Sequence, residues 1–200
     1  MKTNLILGTA LLIIAGNLNA AELRVKGGFL PGGIIDDRKL LSEINLKTIE
    51  LRDTKDGPVK SAELLKQLKR LDRKKCDIQL APVGKQRLTT AETVTRARKG
   101  VLVVSGLYKC KRCPNWHSGA ASGFMLTTDG VFCTSYHVVD NPDNDILVIM
   151  TGDGRMAPVV EVLAADKTAD IAILRAKGND FTALPVSTEA PLGSKVRVLS

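Results

Sequence analysis

Aromatic side chains are scarce in this chain: one Trp, two Tyr and four Phe make up 4% of 200 residues. A core built on stacked rings is therefore excluded, and packing must rest on Val, Leu, Ile and Ala. Histidine is scarcer, with only two residues, so imidazole chemistry can use only His117 or His137. No internal repeat or low-complexity tract is present, which sets aside repeat and fibrous architectures. No apolar run is long enough to span a bilayer comfortably, the longest being Leu5 to Ala15. The basic residues Lys66, Lys69, Arg70, Arg73, Lys74, Lys75, Arg96, Arg98 and Lys99 carry much of the +8 net charge. No aromatic residues interleave with them, so they lack the stacking platform of a single-strand nucleic-acid surface and read as solvated helix faces.

What is present is an ordinary globular composition, 44% apolar and 25% charged. Lys2, the apolar run Leu5 to Ala15 and the small-residue site Leu18-Asn19-Ala20 have the form of a cleavable signal peptide over residues 1–20. The expected location is periplasmic or secreted, with no membrane association after cleavage. No cysteine follows the run, so a lipid-modified N-terminus is not supported.

Beyond the leader, Gly and Pro clusters punctuate the sequence. Asp36 to Ile44 suits a short helix and Leu46 to Leu51 a short strand. Leu64, Leu68 and Leu71 recur at helical spacing, with Leu65 beside them, within a helix expected over Val59 to Lys75. Cys76 to Ala81 suits a strand. Thr89-Thr90-Ala91-Glu92 has the form of a capping box opening a helix to about Arg98. These features predict a small basic pre-domain, α/β or helical, over 21–89, and a linking helix over 90–99.

From Gly100 the pattern changes to short strands. Val101 to Val104, Phe124 to Leu126, Val131 to Cys133, Ile146 to Met150, Val159 to Ala164, Ile171 to Leu174, Leu184 to Val186 and Val196 to Leu199 are separated by turns such as Thr127-Thr128-Asp129-Gly130 and Thr151-Gly152-Asp153-Gly154. Regular short strands indicate an antiparallel barrel or sandwich, so the fold class is mainly β over 100–200. His137 follows a predicted hairpin. Asp170 precedes an apolar strand, where it can face a cleft while Ile171 and Ile173 bury. A nucleophile needs a base, and the base needs a buried carboxylate to fix its tautomer.

Ser122-Gly123-Phe124, Asp129-Gly130, Thr134-Ser135-Tyr136-His137-Val138-Val139, Asp153-Gly154-Arg155, Asp166, Ala169-Asp170-Ile171-Ala172-Ile173-Leu174 and Leu192-Gly193 follow one another in an order that resembles the first barrel of the trypsin-like serine proteases of the HtrA type. The resemblance covers about residues 98–200. It implies the first antiparallel β-barrel of the trypsin-like (chymotrypsin) fold, with His137 as base and Asp170 as its orienting acid. It also implies a protein or peptide substrate and no metal or organic cofactor. The family's Gly-x-Ser-Gly-Gly nucleophile segment has no match within the 200 residues, so a serine is expected beyond Ser200 and the stretch alone is expected to be inactive. A non-catalytic, peptide-binding module with a protease-like barrel is the alternative.

Cys110-Lys111-Arg112-Cys113-Pro114-Asn115-Trp116-His117 forms a loop between predicted strands. A structural disulfide suits an exported chain. A metal site would need a further ligand. Free thiols are the third reading. Cys133 is expected to be a small buried apolar residue.

Overall fold

The computed structural model describes residues 23–30, 34–54, 57–189 and 191–199. The expected signal peptide over 1–20 lies outside them.

Three helices precede the sheet: α1 (Asp37–Arg52), α2 (Ser61–Arg70) and α3 (Thr90–Ala97). α1 starts where the Asp36 carboxylate accepts the Lys39 N–H, satisfying one orphan donor of the first turn. It then runs through the segment Leu46–Leu51, which sequence reading assigned to a strand. Leu40, Ile44, Thr48 and Leu51 fall on one helical stripe and are buried, while Leu46 stays exposed. The Thr48 hydroxyl satisfies itself on the Ile44 carbonyl at 2.7 Å, so a β-branched polar residue is accommodated inside the helix. α2 is shorter than expected, and α3 opens with both reciprocal bonds of the capping box between Thr89 and Glu92.

Six strands follow: β1 (Val101–Lys109), β2 (Trp116–Met125), β3 (Val131–Thr134), β4 (Asn144–Thr151), β5 (Met156–Asp166) and β6 (Ile171–Ala176). A one-turn helix, α4 (Tyr136–Val139), separates β3 from β4. The strands close an antiparallel barrel in the order β1-β2-β3-β6-β5-β4, with β4 returning to β1. The protein is therefore mainly β, as the strand spacing indicated. Gly130, at φ 99°, lets the β2–β3 connection turn, and Gly154, at φ 82°, does the same between β4 and β5. A Cβ at Gly154 would lie 2.2 Å from the Val25 carbonyl oxygen, so glycine is required there on two counts.

No strand forms over Cys76–Ala81, Leu184–Val186 or Val196–Leu199, contrary to the sequence reading. β6 completes the barrel, so no free edge remains to pair with an added strand.

The apolar run Ile146–Met150 is buried at every position because both its faces are covered. Leu147 and Ile149 point into the barrel with Leu102, Val104, Phe132 and Leu174. Ile146, Val148 and Met150 point outward and pack with Leu40, Ile44 and Leu51 of α1. α2 delivers Leu64 and Leu68, both fully buried, into the cluster inside the barrel. α1 and α2 thus both dock on the barrel. Their cations, including Lys66, Lys69 and Arg70, stay on the solvent side.

Candidate active site

β3 and β6 are neighbours, with Thr134 opposite Ala172. This pairing brings the residues just after β3 beside the residue just before β6, although 33 positions separate His137 from Asp170 in sequence. α4 then turns the chain. Tyr136 and Val139 point into the barrel core, which leaves His137 on the outer side of the helical turn. His137 thus sits on a short helix rather than on the hairpin strand itself.

His137 and Asp170 meet as a pair. Nδ1 of His137 lies 2.8 Å from Oδ2 and 3.1 Å from Oδ1 of Asp170, and the His137 backbone N–H donates to Oδ1 at 3.1 Å. An ionised carboxylate only accepts, so Nδ1 carries a proton, and in the neutral imidazole Nε2 then carries the lone pair. The backbone N–H of His137 chiefly holds the Asp170 carboxyl below its ordinary value, with further help from the His137 ring and the Ser135 hydroxyl. Ser135 precedes α4 at its N-cap position but makes no capping bond there. Asp170 itself adopts φ 55°, a left-handed conformation in a non-glycine residue, which Asp and Asn tolerate better than other side chains.

Two expectations are corrected. The carboxylate is not buried: the Asp170 side chain is 48% exposed and that of His137 74% exposed. The alternation of β6 is also opposite to the one expected. Ala172, Leu174 and Ala176 face the barrel interior, while Ile171 is exposed and Ile173 half-buried. The register pairs Phe132 with Leu174, and both point inward; a strand's period of two then sends the isoleucines outward.

The turn that carries Asp170 is clamped by residues whose role the sequence did not disclose. The Asp72 carboxylate accepts the Lys167 backbone N–H at 2.9 Å, and the Arg73 N–H donates to the Ala165 carbonyl at 2.7 Å. The Asp166 carboxylate accepts the Ala169 N–H at 2.9 Å. Asp72 and Lys167 are 95 positions apart, so no local pattern could have linked them.

At the tip of the β1–β2 hairpin, Cys110, Cys113 and His117 place their ligand atoms within 4.8 Å of one another. All four cysteines are free thiols. The Arg112 backbone N–H pulls the Cys110 thiol below its usual value, while burial pushes Cys133, which is half-buried, up.

Comparison with known proteins places this geometry in context. Residues 121–200 match the family model described as a trypsin-like peptidase domain. The serine protease HTRA2, mitochondrial, of Drosophila virilis is 32% identical over 73 residues, which are 36% of this chain and 17% of that protein. The solved structure titled HtrA-type protease AlgW with tripeptide aligns with 50% of this chain and 30% of its own, at 20% identity and a TM-score of 0.41. The chain thus spans well under a third of the length of the curated relative it matches.

Proposed function

We propose that the chain is the His–Asp half of an exported serine endopeptidase of the HtrA type, a reading supported by the match of residues 121–200 to the trypsin-like peptidase domain and by the 32% identity over 73 residues to a serine protease HTRA2. The observation that carries this reading is the two-point grip of Asp170 on Nδ1 and on the backbone N–H of His137. That grip fixes the tautomer whose Nε2 can take a proton from an attacking hydroxyl, and it stabilises the imidazolium that forms. Nε2 then returns the proton to the leaving amine of the peptide. Among the described residues no serine hydroxyl is hydrogen-bonded to either ring nitrogen of His137. No Gly-x-Ser-Gly-Gly segment occurs within the 200 residues, so this reading requires a nucleophile and oxyanion donors from outside them, and the 200-residue stretch alone is expected to lack peptidase activity. Export is supported by the leader-like pattern of residues 1–20.

The test is to extend the sequence past Ser200, purify the protein with its following residues, and assay it on casein and with a fluorophosphonate probe. Casein cleavage and one covalent adduct per chain, both lost in His137→Ala, are expected. Absence of an adduct from the folded, extended protein would overturn the enzyme reading and leave the peptide-binding module.

A further inference from the structure

The hairpin between β1 and β2 ends in a constellation that the proposed hydrolysis does not use. Cys110 and Cys113 are separated by two residues, and Cys113 and His117 by three. The Cys110 N–H donates to the Asn115 carbonyl at 3.1 Å, closing the tip into a compact turn. Nε2 of His117 lies 3.2 Å from the sulfur of Cys113. The sulfur of Cys110 is half-buried and accepts the Arg112 N–H at 3.4 Å.

The histidine is held from outside the loop. Its ring stacks on Tyr108 with centroids 5.9 Å apart. Its backbone neighbours are fixed by Asn45 of α1, whose amide donates to the Trp116 carbonyl at 3.3 Å and accepts the Ser118 hydroxyl at 3.0 Å. The strand that presents the imidazole is thus tied on both sides of His117 to a helix packed on the barrel.

We propose that Cys110, Cys113 and His117 form a zinc site, with solvent in the fourth position. Two thiolates and an imidazole are the soft and borderline donors that zinc prefers. A tetrahedral zinc with Zn–S of about 2.3 Å and Zn–N of about 2.0–2.1 Å separates its ligand atoms by roughly 3.5–3.8 Å. The three atoms already lie within 4.8 Å of one another, so the ion is accommodated by small side-chain rotations. His117 is exposed, which leaves room for a water on the open side. The site braces the hairpin tip, and the Lys111–Asp143 ion pair at 2.9 Å connects that tip to the loop following α4.

The experiment uses the purified full-length protein, prepared reduced and free of chelator, with zinc and cobalt salts as probes. About one zinc per chain by elemental analysis is expected, together with a thiolate-to-cobalt charge-transfer band on cobalt substitution. Cys113→Ser and His117→Ala should each weaken zinc binding by at least about 100-fold, more than the loss of an outer-shell partner, while Cys133→Ser leaves it unchanged. Protection from alkylation gives a readout that needs no variant: zinc should shield Cys110 and Cys113 and leave the rate at Cys76 unaltered. Reduced protein that takes up no zinc, alkylation of Cys110 and Cys113 at the same rate with and without zinc, or a Cys110–Cys113 disulfide that persists when zinc is present during purification would overturn the assignment.

Discussion

The two histidines are each held through one ring nitrogen, by partners of opposite character. His137 meets a carboxylate at Nδ1, 2.8 Å away, and His117 meets a thiol sulfur at Nε2, 3.2 Å away. A carboxylate fixes a tautomer and leaves the far nitrogen free for proton transfer. A sulfur beside an imidazole brings together a soft and a borderline donor, a combination that suits zinc. The supports also differ. The turn that follows α2 clamps the Asp170 turn through Asp72 and Arg73, whereas α1 secures the strand of His117 through Asn45. The segment before the barrel therefore supports both histidines, which lie at the same end of the barrel, the end where the β1–β2 tip, α4 and the turn before β6 meet.

The largest effect that would break this division is at the two histidine sites themselves. In the full-length protein, His137→Ala should lower kcat/KM by on the order of 10⁶-fold and Asp170→Asn by about 10⁴-fold, as removal of the corresponding triad member does, with folding intact by circular dichroism. His117→Ala should leave kcat/KM within about threefold, since its proposed role is to brace a hairpin. Equal losses for the two histidines would show that they form one functional unit.

Next in size is Leu68→Ala in α2. It removes a fully buried side chain from the barrel cluster and should destabilise the protein by about 2–5 kcal/mol in urea unfolding. A change under about 1 kcal/mol would mean that α2 is only loosely docked and cannot brace anything.

Asp72→Ala sharpens the comparison on the His137 side. Loss of one exposed hydrogen bond to the Lys167 N–H corresponds to about 1 kcal/mol, or roughly fivefold in kcat. KM and zinc content should not move. An unchanged kcat would detach α2 from the active-site turn.

The smallest effect is a control at a place that serves neither histidine. Burial raises the Asp153 pKa, but the Thr151 hydroxyl and Arg24, 2.6 Å away, outweigh it and bring the value to about 2. A depressed folded-state pKa contributes stability that is complete above the ordinary carboxylate value near 4 and disappears as pH falls through about 2. Asp153→Asn should flatten the thermal stability profile between these values and leave it parallel to wild type near neutrality. The sign is the same for Asp170, whose carboxyl is also lowered.

The sequence was most legible where one local rule governed. The β2–β3 turn at Asp129-Gly130 and the Thr89–Glu92 capping box are set by residues within a few positions of each other, and both form as expected. The family motifs singled out His137 and Asp170, which the structure brings into contact. The segment Leu46–Leu51 was misread because its mixture of leucine, isoleucine and threonine fits a strand locally. Only the longer stripe from Leu40 to Leu51, buried against β4, decides for helix. The facing of β6 was not legible either. Ile171-Ala172-Ile173-Leu174 is apolar at every position, so its inner face is chosen by pairing with Phe132 and by the turn at Asp170. The clamp by Asp72 and the grip of Asn45 on β2 depend on contacts across 95 and about 70 positions, which only the closed barrel creates.

The left-handed backbone at Asp170 has an evolutionary consequence. Only Asp, Asn and Gly occupy such a conformation cheaply, so the replacements that the fold accepts most readily are the two that abolish the carboxylate. A drifting sequence could therefore lose the orienting acid at no backbone cost, giving up only the carboxylate's exposed bonds to His137. Screens for folded protein would pass such variants. Protection of this position falls mainly on selection for activity, and an Asn or Gly here in a related barrel would mark a protein that has left proteolysis while keeping its architecture.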